Sequence, residues 1–308
     1  MFDRHRNALV PALAGALLLA FGAIFVRLSD VDPAAAASYR CLYALPVLAP
    51  LAFFESRSRG ARPLRAHLLA LSAGVLFGVD LVLWCESISY VGAGLATVLS
   101  NFQVVIVPLA AWALFSERPS PRLAVAVPIA LIGVVLISGV IGSGAYGDNP
   151  ALGSVLGIGS GAAYAASLIV MKYAGEAELH HTRARVFELA LSACASAGLI
   201  ALLRGGLDTV PGLESQLWLV SLALGSQVAA WLLITWSLPR LATAVTALVL
   251  TLQPAGSMVL AIILLSEKPS ALQLAGVCAV AIAIPLGALQ EGRGARKSAE
   301  VPVYADLT

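Results

Sequence analysis

The feature that most constrains this chain is a series of ten apolar runs separated by charge, Pro and Gly. They lie at roughly 8–28, 34–54, 66–88, 93–116, 122–140, 152–173, 183–203, 214–237, 242–265 and 270–289. Each is close to the ~20 residues with which an α-helix crosses about 30 Å of hydrocarbon. The runs are apolar throughout and do not alternate, so they read as helices and not as barrel strands. Composition agrees. Hydrophobic residues make up 59% of the chain and charged residues 12%, against about 45–50% and about 25% in an ordinary globular protein. With a mean hydropathy of +0.90, too little polar surface remains to cover a core in water, and the chain has to meet lipid. That excludes a cytosolic enzyme, a nucleic-acid binder and a disulfide-stapled secreted domain. A net charge of +2 does not suggest an anionic partner.

The remaining chemistry-bearing residues are sparse. Cys41, Cys85, Cys194 and Cys278 stand singly in apolar runs, as small buried hydrophobes do, with no CxxC pair. His5, His67, His180 and His181 all sit in charged connecting segments, so no metal site is expected in the membrane. No GxxxxGK occurs, so the chain carries no P-loop for ATP, and no cofactor is expected. The first apolar run continues to Leu28, long enough to span and stay and too long for a cleaved signal.

Lys and Arg set the expected orientation. With ten spans and the N-terminus inside, Arg27, Arg40, Arg204 and Lys268 fall on the outer side and the other fifteen of the nineteen basic residues on the inner side. This bias places both termini in the cytoplasm and the chain in the cell inner membrane as a multi-pass protein. Residues 290–308, with Gly and charge but no apolar period, read as a flexible cytoplasmic tail.

The chain also repeats itself. Shifted by 150 residues, Leu95–Ser120 falls on Val245–Ser270 without a gap. Gln103 meets Gln253, Glu117 meets Glu267 and Pro119 meets Pro269, so that Ser-Glu-[Arg/Lys]-Pro-Ser closes the fourth run and the ninth. The two units are 8–140 and 150–289. Five spans is an odd number, so the second unit enters the membrane from the opposite side. The expected fold is an all-α polytopic membrane protein of ten transmembrane helices in two inverted five-helix repeats. Two near-equivalent halves make inward-open and outward-open states nearly degenerate, which favours transport over enzymology.

Two five-span halves, each closing with Glu-[Arg/Lys]-Pro-Ser after its fourth span, resemble the EamA-type members of the drug/metabolite transporter superfamily. Within it, the resemblance points to amino-acid exporters of the YddG type. It implies a ten-helix exporter of small metabolites or drugs. Its central cavity would be lined by the third, fourth, eighth and ninth helices and flanked by the first and sixth.

Polar groups in hydrocarbon are costly, so their positions are informative. Asp80 lies deep in the third span, with Trp84 one turn on. An unpaired charge there costs at least about 2.5–3.5 kcal/mol. Two readings stand: Asp80 binds a substrate amine or a coupling proton, or it is a structural partner for an Arg or a packing hydrogen bond. A shift of 150 brings Ala230 to its place, which argues against a symmetric proton relay. Asn101, Gln103 and Gln253 are candidates for a neutral polar lining that hydrogen-bonds a zwitterion, or for amide bonds between helices. Pro108 and Pro254 each remove a backbone bond and are candidate hinges. Tyr43, Trp84, Tyr164 and Trp231 are candidate aromatic walls, with Gln227 sharing a helical face with Trp231 four residues on.

Other features read as architecture. Gly74-x-x-x-Gly78 and Gly153-x-x-x-Gly157 permit close helix approach. Glu117 and Glu267 suit capping or pairing at helix ends. Glu188 is placed to pair with Arg185 along its own helix. Arg40, several residues into the second span, has two expected placements: snorkelling outward, or pairing with Asp30 or Asp32. The function expected is a carrier that takes a small-molecule substrate, most readily an amino acid, across the lipid bilayer by alternating access. The rivals are an exporter of drugs or amphipathic cations and a passive channel-like facilitator.

Overall fold

The computed structural model describes residues 2–60, 62–115, 121–173, 181–206, 211–237 and 243–288. They are helical apart from short connections, with no strand among the described residues. The elements of the first repeat are α1 (Phe2–Ser29), α2 (Pro33–Arg59), α3 (Leu64–Val91), α4 (Ala93–Ser100), α5 (Gln103–Phe115) and α6 (Pro121–Ile137). Those of the second are α7 (Pro150–Tyr173), α8 (Thr182–Leu203), α9 (Leu213–Ser221), a π-helical segment (Leu222–Ala229), α10 (Ala230–Ser237), α11 (Thr243–Leu264) and α12 (Ala271–Ala288). Among the described residues, seven helices are long and apolar enough to cross a membrane, and shorter apolar helices run over Ala124–Ile137, Leu252–Leu264 and Ala271–Leu286.

Local sequence explains several boundaries. Asp32 starts α2 by accepting the N–H groups of Ala34 and Ala35 at 2.9 and 3.0 Å, and Pro33 at the first helical position needs no partner. Asp32 is thus a helix cap and does not hold Arg40. A single residue, Gly92, separates α3 from α4. Its φ of +87° favours glycine, and a Cβ there would lie 2.7 Å from the Glu267 carboxylate. The fourth span breaks at Asn101–Phe102, where Phe102 N bonds Leu99 O and Val104 N bonds Asn101 O in tight i→i−3 geometry. The break precedes Pro108, which lies inside α5 with its side chain outside the described set. The ninth span, α11, has no corresponding break and carries Pro254 in its interior.

Helix neighbours follow the repeat. α3 packs on α7 as α10 packs on α1, and α1 packs on α11 as α7 packs on α4 and α5. The pairs α2–α8, α6–α12 and α4–α11 join equivalent spans. Alanine recurs at the helix contacts, with Ala184, Ala190, Ala193, Ala197 and Ala201 all buried along α8. Gly74 and Gly78 face that stripe: a Cβ at Gly78 would lie 2.7 Å from the Ala193 carbonyl oxygen. Gly153 and Gly157 lie likewise against Val91 and Leu99. Large apolar side chains such as Phe53, Val155, Leu203 and Ile263 point outward. Small residues at helix contacts and large apolar ones on the outer faces suit lipid, where close backbone approach replaces the hydrophobic drive of water.

Acidic side chains tie spans together at both ends of the bundle. Glu55, at the end of α2, accepts the N–H groups of Arg183 and Ala184 at 2.7 and 2.9 Å, capping α8. Glu188 does not pair along its own helix with Arg185. It receives Arg62 Nη1 at 2.8 Å and lies 2.7 Å from His67 Nδ1, joining α8 to the start of α3. At the opposite end, Glu86 pairs with Arg204. Glu267 reaches across the repeat to the start of α4, accepting Ala93 N at 2.6 Å and Gly94 N at 3.3 Å. Its repeat partner Glu117, and the tail at 290–308, lie outside the described residues.

Candidate substrate site

The most polar point in the interior lies where α2, α3, α7 and the π-helical segment meet. Asp80 on α3 is 7% exposed, and Ser160 on α7, fully buried, donates its hydroxyl to Asp80 Oδ1 at 2.5 Å. Arg40 on α2 is 6% exposed. It neither snorkels nor pairs with Asp30 or Asp32: its Nε donates to Gln227 Oε1 at 2.8 Å. Its Cζ lies 5.5 Å from the ring centroid of Trp84, a cation–π contact worth about 0.5–2 kcal/mol. Asp80 and Trp84 share one face of α3, and Ser160 and Tyr164 one face of α7, each pair four residues apart. The Tyr164 ring packs 5.8 Å from that of Phe77.

Gln227 reaches this centre from an irregular helix. The π-helical segment Leu222–Ala229 closes with Ala230 N bonded to Gly225 O, an i→i−5 bond. The extra residue per turn re-aims the side chains that follow, a device common at functional sites. Gln227 is thereby buried against Arg40, while Trp231, one turn on, lines a recess of about 20 Å³ with Gln227, Leu48, Leu51 and Val186. That volume admits about one water molecule.

Of the residues singled out from sequence, Asp80, Trp84, Tyr164 and Gln227 gather at this centre, and Trp231 borders it. Tyr43, half-buried, lies three residues after Arg40 with its ring 5.6 Å from Tyr39. Asn101 and Gln103 do not join the cluster's hydrogen bonds. Asn101 Nδ2 donates to Thr97 O at 2.8 Å, satisfying a carbonyl next to the break in its own span. Gln103 Oε1 is buried without a hydrogen-bond partner among the described residues, and its backbone faces Gly161, next to Ser160. Gln253 is half-buried on α11. Arg40 and Ser160 were not expected here. Arg40 had a signal, since any arginine inside an apolar run marks an intramembrane partner. Ser160 had none, because Ser154 and Ser167 are buried in the same helix.

The cluster holds a guanidinium and a carboxyl side chain, yet no hydrogen bond joins them among the described residues. Desolvating either group costs several kcal/mol unless its remaining donors and acceptors are matched. Chemically the centre offers guanidinium donors, a carboxylate, an amide and aromatic faces contributed by both repeats.

A helical bundle with lipid-suited packing and a buried polar centre defines a multi-pass membrane protein. The sequence profile of the EamA-like transporter family matches residues 7–139 and again residues 151–286. The chain belongs to that family, which places it among membrane transporters of small molecules. A protein of known crystal structure shares 16% sequence identity with it, and the two folds agree with a TM-score of 0.61 over 94% of this chain and 99% of that one. No match is found among curated proteins.

Proposed function

We propose that this protein is a secondary transporter, not an enzyme, which exports amino acids across the cell inner membrane by alternating access. In this reading ten helices span the bilayer in two inverted repeats, and both termini are cytoplasmic. The substrate meets the centre formed by Arg40, Asp80, Trp84, Tyr164 and Gln227. No ATP is used.

The observation that carries the reading is the bridging of the two repeats by buried polar groups. Asp80 to Ser160 and Arg40 to Gln227 each join one repeat to the other. A substrate bound there touches both halves, so it acts on the contact that has to rearrange when access alternates. Intramembrane ionisable residues facing the bundle interior are characteristic of substrate pathways.

The second reading, export of amphipathic cations, draws on the aromatic rings of Trp84, Phe77 and Tyr164 around a carboxylate. Arg40 in the same cluster weighs against it, because a cation would meet like charge. Purified protein in liposomes, given a panel of labelled amino acids with and without a pH gradient, tests the proposal. Saturable, trans-stimulated flux of an amino acid is expected. Flux of cationic dyes with no amino-acid flux selects the second reading, and flux without trans-stimulation selects a channel-like facilitator.

A further inference from the structure

Among the described residues the Arg40 side chain makes one hydrogen bond, from Nε to the neutral amide of Gln227. Its two terminal nitrogens, with four N–H donors, carry no hydrogen bond among the described residues, although the residue is only 6% exposed. Asp80 likewise uses Oδ1 for Ser160, while Oδ2 accepts no hydrogen bond among the described residues. Neither set of atoms belongs to the fully enclosed, unpartnered polar atoms of the interior, so each keeps a small accessible surface within a nearly closed centre.

The other carboxylates near these helices are committed elsewhere. Glu86 is taken by Arg204, Glu55 caps α8, Glu188 binds Arg62 and Asp32 caps α2. Among the described residues no carboxylate hydrogen-bonds the planar guanidinium fork, although a carboxylate is the group it fits best.

We infer that Arg40 and Asp80 form a two-ended clamp for a zwitterion, with Arg40 taking the substrate α-carboxylate and Asp80 its α-ammonium. This rests on the amino-acid reading above and narrows it to substrates carrying both charged groups. Gln227 holds Nε and leaves the two terminal nitrogens as a pair. Ser160 fixes Asp80 Oδ1 and leaves Oδ2 for the ammonium. Trp84 covers one face of the guanidinium, which keeps water from competing for the carboxylate. A zwitterion satisfies both ends at once. An amine lacking the carboxylate leaves Arg40 unmatched, and a carboxylic acid lacking the amine leaves Asp80 unmatched.

The test is competition against labelled amino-acid uptake in proteoliposomes, using L-phenylalanine, 2-phenylethylamine and 3-phenylpropionate, and the corresponding leucine set. In the unaltered protein the zwitterion should compete at least tenfold better than either one-ended analogue. Arg40→Gln should raise KM for the amino acid at least tenfold and abolish its advantage over the amine. Asp80→Asn should abolish its advantage over the acid and leave its advantage over the amine. Arg40→Lys, which keeps the charge but loses the fork, should fall between.

Equal competition by the one-ended analogues in the unaltered protein overturns the clamp. That comparison needs no variant and so survives a folding defect in any of them. An unchanged KM in well-folded Arg40→Gln overturns it too. Failure to transport any amino acid at all overturns the function reading instead, so the two failures are distinct.

Discussion

The two repeats share a scaffold and differ in chemistry. Exchanging α1 for α7, α2 for α8 and α3 for the α9–α10 span carries the helix contacts largely onto one another. The 150-residue shift that aligns the two Ser-Glu motifs pairs none of the central side chains with its like. At a shift of 150, Arg40, Asp80 and Trp84 meet Ala190, Ala230 and Ile234, while Ser160, Tyr164 and Gln227 meet Val10, Ala14 and Phe77. Two near-equivalent halves make two states of similar energy available. A polar substrate with unlike ends, by contrast, needs one asymmetric set of partners. The scaffold can therefore be duplicated where the site cannot.

Packing shows the same asymmetry and supplies its most severe test. Gly74 and Gly78 bring α3 against α8, but the equivalent positions on the eighth span are Leu224 and Val228. A Cβ at Gly74 would meet Ser192 and come within 2.8 Å of Leu189 Cα. Gly74→Ala should therefore lower unfolding stability by about 1–3 kcal/mol or more. On the other repeat, Gly225 has its nearest neighbour at 3.9 Å, and Gly225→Ala should change stability by less than about 0.5 kcal/mol. Denaturant unfolding of both purified variants checks the contrast. A Gly74→Ala protein as stable as the parent would show that the approach of α3 to α8 is looser than described.

Glu267 provides a second, smaller test, because it is the place where one repeat caps the other. Burial pushes its carboxyl above the ordinary glutamate range, against the opposing pull of the Ala93 and Gly94 amides and of Arg27. The sign follows from linkage: a carboxyl that holds its proton more tightly when seated on α4 than in water favours the seated conformer as pH falls. Raising pH from the ordinary glutamate value of about 4.3 through the raised one should loosen the contact. Tryptophan fluorescence followed against pH should show this transition and lose it in Glu267→Gln. Persistence of the same pH profile in Glu267→Gln would assign the transition to another group. Glu267→Ala, which leaves two buried N–H groups unmatched, should cost about 1–3 kcal/mol.

The smallest effect is expected where the tie between spans meets solvent. Arg204 is half exposed beside Glu86, so breaking the pair should cost about 0.2–1 kcal/mol and matter less in salt. Glu86→Gln and Arg204→Gln, measured singly and together, give the coupling directly. A value above 2 kcal/mol would make this end of the bundle as rigid as the buried Arg62–Glu188 tie at the other.

Much of the architecture was legible in the sequence because lipid makes hydropathy informative. A backbone in hydrocarbon has to satisfy itself within each helix, so an apolar run of the right length has few alternatives. The Ser-Glu-[Arg/Lys]-Pro-Ser repeat was equally visible, since it needs only the chain compared with itself. Glu267 was expected to cap or pair at a helix end. That it caps α4 rather than its own neighbourhood was not readable, because the two lie 174 residues apart.

The centre was half legible for the same reason. Asp80 announced itself as a charge in an apolar run, but nothing local pointed to Ser160, 80 residues away, or to Gln227 as the partner of Arg40, 187 residues away. Helices apolar on every side carry no stripe to say which face meets which neighbour. The π-helical turn that re-aims Gln227 leaves no mark in hydropathy either.

Sequence by itself determined that this chain enters lipid as helices, that it does so in two related units, and that Asp80 and Arg40 require partners. Tertiary structure decided which partners those are. Pairing in a bundle is set by small-residue contacts and helix irregularities between distant spans, and the apolar solvent that makes each span recognisable leaves their faces alike.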